Sequence, residues 1–235
     1  MPNSRQNAAI IGLLFILAAI TSIIGLKLYD PLLQTSDYLT KGFENEPRIV
    51  LGALFEMVLA VSVVATAIML FPYFKKENEG LAIAYVCFRV LEAIFIIIGI
   101  VSVLALLALS QEYINTAGAD SGHFTTTGSL LKAVHSRTFM LGPNFMLALN
   151  TVICSYLLYK SLLVPRFISA MGLTGSIFIF YAAVLEMFGI IEHMSNWGII
   201  LAVPLFSYEM ILALWLLFKG FNASAFHGRK IILQT

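Results

Sequence analysis

Long apolar segments, separated by short polar ones, follow one another along the whole chain. A helix needs about 20 apolar residues, at ~1.5 Å each, to cross the ~30 Å hydrocarbon core of a bilayer. Six segments reach that length, at approximately 8–28, 50–71, 81–109, 138–159, 167–188 and 198–218. Each is apolar around its full circumference, which is typical of spanning helices and not of amphipathic surface helices. The pattern predicts an all-α polytopic membrane protein, a bundle of six transmembrane helices in a single domain over residues 1–235.

The composition agrees with this prediction. Of the 235 residues, 60% are hydrophobic and 11% are charged, whereas soluble domains average about 25% charged residues. A net charge of +1 provides no large basic field for nucleic acid, so nucleic-acid binding is excluded together with soluble Rossmann and barrel architectures. Cys87 and Cys154 both lie in apolar segments, and we interpret them as buried small hydrophobic residues.

The basic residues of the loops predict the orientation. With a cytoplasmic N-terminus, the inner segments carry Arg5, Lys75, Lys76, Lys160, Arg166, Lys219, Arg229 and Lys230. The outer segments carry Lys27, Lys41, Arg48 and Lys132, and the outer loops 29–47 and 110–133 are the longest connections. Because cytoplasmic loops carry an excess of lysine and arginine, we predict that both termini are cytoplasmic.

Several charged side chains fall inside the predicted spans, where each costs on the order of several kcal/mol. Glu56 lies in the second span, Arg89 and Glu92 in the third, Glu186 in the fifth and Glu209 in the sixth. Such groups usually face a bundle interior or a wet cavity. Carboxylates outnumber guanidinium groups here, and we expect them to meet in one interior pocket that is reached from the outer side.

The positions of these residues along their helices refine the expected pocket. Glu209 falls near the bilayer centre and Glu92 within about 5 Å of it, with Arg89 roughly one turn closer to the cytoplasm. Arg89 and Glu92 are three residues apart and share a helix face with Tyr85. Tyr208 adjoins Glu209 in the sixth span.

The fourth span adds polar groups to the outer half of this pocket. Arg137, Asn144 and Thr151 recur every seven residues and predict one polar stripe along the helix. We expect His135, Arg137 and Glu56 to line the outer entrance, and Asn144 to contact a ligand or a neighbouring helix.

Three interpretations of the pocket remain open. In the first, it binds or also transports a small molecule, a lipid, or a proton or cation, with Arg89 holding an anionic group or pairing with Glu209. In the second, Glu92 and Glu209 act as acid and base on a lipid-like substrate. In the third, the ion pairs only stabilise the bundle or serve a protein partner. No metal-ligand spacing or nucleophile motif is present, so we expect no metal and no cofactor, and membrane lipids as partners.

Four short motifs occur in order along the chain. They are Phe88-Arg89-Val90-Leu91-Glu92-Ala93; His135 followed by Phe139 and Gly142; Val164-Pro165-Arg166; and, in the last span, Pro204, Glu209, Leu214-Trp215 and Lys219-Gly220. Their order and spacing resemble the small bacterial membrane proteins grouped as "domain of unknown function 4386". The resemblance implies six spans and the bacterial inner membrane, and it brings no established reaction, ligand or catalytic residue. Pro143-Asn144 departs from the less polar pair expected in that family.

Overall fold

A computed structural model describes residues 4–116, 121–192 and 195–222, and all regular structure in these ranges is helical. The helices are α1 (Ser4–Leu28), α2 (Asp30–Leu33), α3 (Tyr38–Glu44), α4 (Glu46–Phe74), α5 (Glu79–Asn115), α6 (Ser121–Phe139), α7 (Leu147–Ser161), α8 (Arg166–Met187) and α9 (Asn196–Phe218). A π-helical segment, Met140–Met146, joins α6 to α7 without a break. Within the described residues, six helices are long and apolar enough to cross a membrane, which confirms the predicted all-α, six-span architecture.

The spanning helices form a closed ring. In the order α1, α4, α5, α7, α8 and α9, each helix packs against the next, and α9 packs against α1. Arg5 Nη2 donates a hydrogen bond of 2.6 Å to the carbonyl of Phe218, so α1 begins where α9 ends. We call this the terminal end of the bundle, and the opposite end, where α5 is followed by α6, the hairpin end.

The basic residues follow the same division between the two ends. The helix ends and connections at the terminal end carry Arg5, Lys75, Lys76, Lys160, Arg166 and Lys219. Arg229 and Lys230, which also entered the charge count, lie outside the described residues. The four basic residues assigned to the outer segments, Lys27, Lys41, Arg48 and Lys132, lie at the hairpin end.

The hairpin end contains more helix than the sequence pattern indicates. Both predicted long loops are largely helical, since α2 and α3 occupy the first and the ends of α5 and α6 occupy most of the second. At ~1.5 Å per residue, the 37 residues of α5 extend about 55 Å, well beyond a ~30 Å hydrocarbon core. The α5–α6 hairpin therefore projects from the membrane, and α3 packs against α5 there.

Polar side chains and prolines define several helix ends. Asn78 caps α5 by accepting a 2.9 Å hydrogen bond from the backbone N–H of Leu81, and Ser195 caps α9 in the same way. Pro72 lies inside α4, near the end of the helix at Phe74. A proline there removes one hydrogen bond close to the point where the helix ends in any case.

The outer surface of the ring is apolar. Large exposed side chains such as Ile177, Val61 and Leu54 point away from the bundle, as expected for contact with lipid. Cys87 shares this surface, whereas Cys154 is buried, so the prediction that both thiols are buried is wrong for Cys87. A thiol is a weakly polar group, and a lipid-facing position accepts it as readily as a protein core.

The close approach of α1 and α9 depends on Gly12. A Cβ atom at Gly12 would lie 2.6 Å from the carbonyl oxygen of Ala213 and 3.0 Å from the backbone nitrogen of Leu217. Because both neighbours are backbone atoms, they cannot rotate away. At Gly122 in α6, by contrast, a Cβ atom would meet nothing within 4 Å.

We therefore expect Gly12→Ala to lower the free energy of unfolding in mild detergent by about 1–3 kcal/mol, because the added methyl group forces α1 and α9 apart. Gly122→Ala is the matched control and should leave stability unchanged or raise it by up to about 1 kcal/mol, since alanine is the better helix former. Thermal unfolding of the three proteins measures the difference. Equal stability of the two variants would contradict the backbone contact.

Candidate functional site

A cavity of about 190 Å³ lies inside the ring of helices, close to the middle of the spans. We call it the central cavity. Its polar lining includes Arg89 and Glu92 from α5, Asn144 from the π-helical segment and Glu209 from α9, and most of its other walls are apolar side chains. The structure therefore brings four of the predicted site residues, three charged side chains and one amide, around a single cavity.

The guanidinium group of Arg89 joins two carboxylates. Its Nη1 donates to Glu92 at 3.2 Å from Oε2 and 3.5 Å from Oε1, while Nη2 lies 3.8 Å from Oε1 of Glu209. Phe15 and Tyr85 face the same guanidinium, with ring centres 5.7 and 5.9 Å from Cζ, within the range of cation–π attraction. With both carboxylates ionised, this group of three charges carries one net negative charge.

Glu92 has a second partner that the sequence reasoning did not identify. Asn150 of α7 is fully buried and donates from Nδ2 to Oε2 of Glu92 at 2.7 Å. The same amide also donates to the carbonyl of Met146 at 2.8 Å. The sequence does place the amide of Asn150 within an apolar span, where an unsatisfied polar group is costly. The seven-residue repeat includes Asn144 instead, and for that reason Asn150 was not predicted.

The π-helical segment sets the direction of the fourth span. It surrounds Pro143, which has no backbone N–H and so favours a widened turn. The segment also passes close to α5, because a Cβ atom at Gly142 would lie 3.2 Å from the carbonyl oxygen of Glu92. Asn144 lines the central cavity from this segment and donates to Glu186 of α8 at 3.3 Å.

The polar stripe predicted along the fourth span is wrong. Arg137 is exposed, Asn144 lines the central cavity, and Thr151 is buried within 3.4 Å of the Asn150 side-chain oxygen. A repeat of seven stays on one face only while the helix keeps about 3.6 residues per turn, and the wider π turn changes that register.

Five of the predicted site residues do not line the central cavity. They are Glu56, Tyr85, Tyr208, His135 and Arg137. Glu56 is buried at the contact of α4 with α1, against Gly25. Tyr85 and Tyr208 are buried behind the cavity wall, where the Tyr208 hydroxyl lies 3.9 Å from Sγ of Cys154. His135 packs edge-on against Tyr29, with ring centres 6.0 Å apart, at the hairpin end.

A second cavity, of about 370 Å³, continues from the central cavity towards the hairpin end. We call it the lateral groove. The two cavities share lining residues from α1, α8, α9 and the fourth span: Ile23, Phe139, Asn144, Ile179, Ala202 and Phe206. Because α1 and α9 meet closely at Gly12 near the terminal end, the groove lies between the other halves of these two helices. It forms a mostly apolar path that leads to Glu209.

The buried pair makes a direct prediction about stability. Arg89→Gln leaves Glu92 buried without its cation, and we expect a loss of about 3–5 kcal/mol in the free energy of unfolding. In the double variant Arg89→Gln/Glu92→Gln, the fully buried carboxylate of Glu92 is gone as well, and much of the loss should be recovered. Unfolding in detergent measures both effects.

The control is Lys75→Gln, which breaks the exposed Lys75–Glu79 pair of 2.8 Å and should cost less than about 1 kcal/mol. The single variant Glu92→Gln completes the comparison. If the losses of Arg89→Gln and Glu92→Gln simply add up in the double variant, the two side chains do not interact.

Comparison with known proteins adds the family of the chain. The family model described as Domain of unknown function (DUF4386) matches residues 10–220, which include most of α1, the other five spanning helices and the lining of the central cavity. No curated protein and no solved structure matches the chain. The chain belongs to the DUF4386 family of proteins with a domain of unknown function.

Proposed function

We propose that the central cavity binds the polar part of a small molecule or lipid and that Glu209 is the principal contact. One observation carries this proposal. The Glu209 side chain lines the central cavity and is 19% exposed. Its Oε1 lies 3.8 Å from Nη2 of Arg89, which exceeds hydrogen-bond distance. Glu92, by contrast, is held by Arg89 and Asn150. Glu209 therefore has acceptor capacity that no described residue uses.

The charges around the cavity favour a particular kind of ligand. Two carboxylates and one guanidinium attract hydrogen-bond donors and positive charge, so a hydroxyl group, an amine, a proton or a small cation suits the site. An anionic ligand at Arg89 is disfavoured, because both terminal nitrogens of the guanidinium already face Glu92 and Glu209. The lateral groove supplies an apolar path beside this polar end, which suits an amphiphilic molecule.

Native mass spectrometry of the protein in mild detergent tests the contact with Glu209. We expect a retained ligand mass in the wild type and at least a tenfold weaker signal for Glu209→Gln, because a hydrogen bond to a charged group contributes about 1.5–3 kcal/mol. Glu79→Gln, an exposed carboxylate at the terminal end, is the control and should retain the mass.

The same variants distinguish the alternative functions. If Glu209→Gln lowers the unfolding temperature and no protein retains a ligand, the ion pairs are structural. Chemical conversion of the retained molecule by the wild type, lost in Glu209→Gln, would indicate an enzyme that uses Glu92 and Glu209 as acid and base.

A steric variant tests the cavity without changing any charge. Ala202 lines both the central cavity and the lateral groove, so Ala202→Phe should fill the passage between them and abolish ligand retention. Ala170→Phe, at an exposed position of α8, adds the same group outside the bundle and should retain the ligand. Equal retention by both variants would contradict binding through this passage.

We further propose that the protein lies in the inner membrane with both termini in the cytoplasm, a direction supported by the excess of basic residues at the terminal end. In a Cys87→Ala/Cys154→Ala background, the new thiol of Ser129→Cys should react with an impermeant maleimide in spheroplasts. The new thiol of Lys76→Cys should react only after the membrane is permeabilised. The reverse pattern would contradict the proposed orientation.

A further inference from the structure

A third cavity collects basic side chains at the hairpin end. This vestibule, of about 1060 Å³, lies between the segment from the end of α1 to the start of α4 on one side and α6 on the other. Lys27, Lys41, Arg48 and Lys132 all line it, from four different helices, and Asp30 is the single carboxylate among its described lining residues. Basic side chains therefore outnumber carboxylates in the lining of the vestibule, whereas carboxylates are in surplus in the central cavity.

Two of the four cations are not neutralised by carboxylates of the described residues. Lys27 pairs with Asp30 at 3.0 Å and Lys41 with Glu44 at 2.7 Å. Arg48 has a different partner, since its Nη2 donates to the carbonyl of Lys27 at 2.9 Å. A carbonyl holds the guanidinium in place but leaves its full positive charge.

Lys132 is held in a similar way. Its ammonium group donates to the carbonyls of Leu33 and Thr35, at 3.4 and 3.2 Å. It also lies 3.8 Å from the ring centre of Tyr38, so a cation–π contact steadies it. Arg48 and Lys132 are thus two positioned positive charges with carbonyl and aromatic partners. The hydrogen bond to Glu44 raises the pKa of Lys41, whereas partial burial lowers the pKa of Lys132.

The predicted orientation makes this cluster unusual. Lysine and arginine are disfavoured in the translocated loops of membrane proteins. Yet the four basic residues that the sequence assigns to the outer segments all line this one cavity. Because they converge from separate segments, a shared ligand explains their positions better than four independent roles at the surface.

We propose that the vestibule binds a phosphate group, carried by an anionic lipid headgroup or by a phosphate-containing solute. The planar guanidinium of Arg48 suits two-point recognition of phosphate oxygens, and Lys132 adds a point charge. Ile23 and Leu26 line both the vestibule and the lateral groove. A phosphate bound here would therefore place an attached acyl chain beside an apolar groove. This site does not depend on any ligand at Glu209.

Thermal unfolding of delipidated full-length protein in a non-ionic detergent tests the proposal. We expect phosphatidylglycerol at saturation to raise the unfolding temperature by about 5 °C, while zwitterionic phosphatidylcholine produces a much smaller shift. Millimolar inorganic phosphate, compared with chloride at equal ionic strength, distinguishes the two sources. A shift with phosphatidylglycerol alone identifies a lipid headgroup, and a shift with inorganic phosphate identifies a soluble phosphate ligand.

Matched variants locate the site. Arg48→Gln/Lys132→Gln should abolish the shift, and Arg48→Lys should keep only part of it, because it retains the charge but loses the planar fork. Lys75→Gln/Lys160→Gln removes two charges at the terminal end and should keep the full shift. Absence of a shift in the wild type with every probe would overturn the proposal. A full shift in Arg48→Gln/Lys132→Gln would overturn it too. The same holds if Lys75→Gln/Lys160→Gln loses as much of the shift as Arg48→Gln/Lys132→Gln.

Discussion

The placement of a guanidinium group among carboxylates in the middle of the membrane is the constraint on which the site depends. Hydrocarbon offers no water to stabilise a charge, so Arg89 has to find its partners within the bundle. It does so between Glu92 on its own helix and Glu209 on α9, while Asn150 of α7 supplies a further bond to Glu92. Groups from α5, α7 and α9 are therefore brought towards one point inside the ring, and the central cavity surrounds it.

The three cavities differ in chemistry in a way that follows from their depth. At mid-membrane, the surplus carboxylate of Glu209 faces a small cavity. The lateral groove is mostly apolar and shares six residues with that cavity. At the hairpin end, where water and headgroups are available, cations can be held by carbonyls and remain charged. Their connection through residues such as Ile23 suits amphiphilic molecules, whose polar and apolar parts require different surroundings.

The spans and the buried central charges were predictable because both follow from the polarity of the residues themselves and not from the neighbours they pack against. About 20 apolar residues define a span whatever they pack against, and the cost of burying Arg89, Glu92 or Glu209 directs each of them inwards. The helix ends were less predictable, because an apolar segment ends at the membrane surface but a helix does not. Gln111 and Glu112 interrupt the hydrophobic pattern, yet α5 continues to Asn115, since water tolerates polar side chains on a helix.

The sequence by itself determined the number of spans, the apolar outer surface and the presence of buried charge, because these depend on transfer between water and hydrocarbon. Only the tertiary structure decided which charges meet. The π turn at Pro143 changed the register of the fourth span, so Asn144 lines the central cavity while Arg137 is exposed. The same packing placed Glu56 against Gly25 of α1, and it gathered Lys27, Lys41, Arg48 and Lys132 around one vestibule. These contacts join residues of separate helices, so they depend on how the helices pack. They cannot be read from the polarity of any one residue.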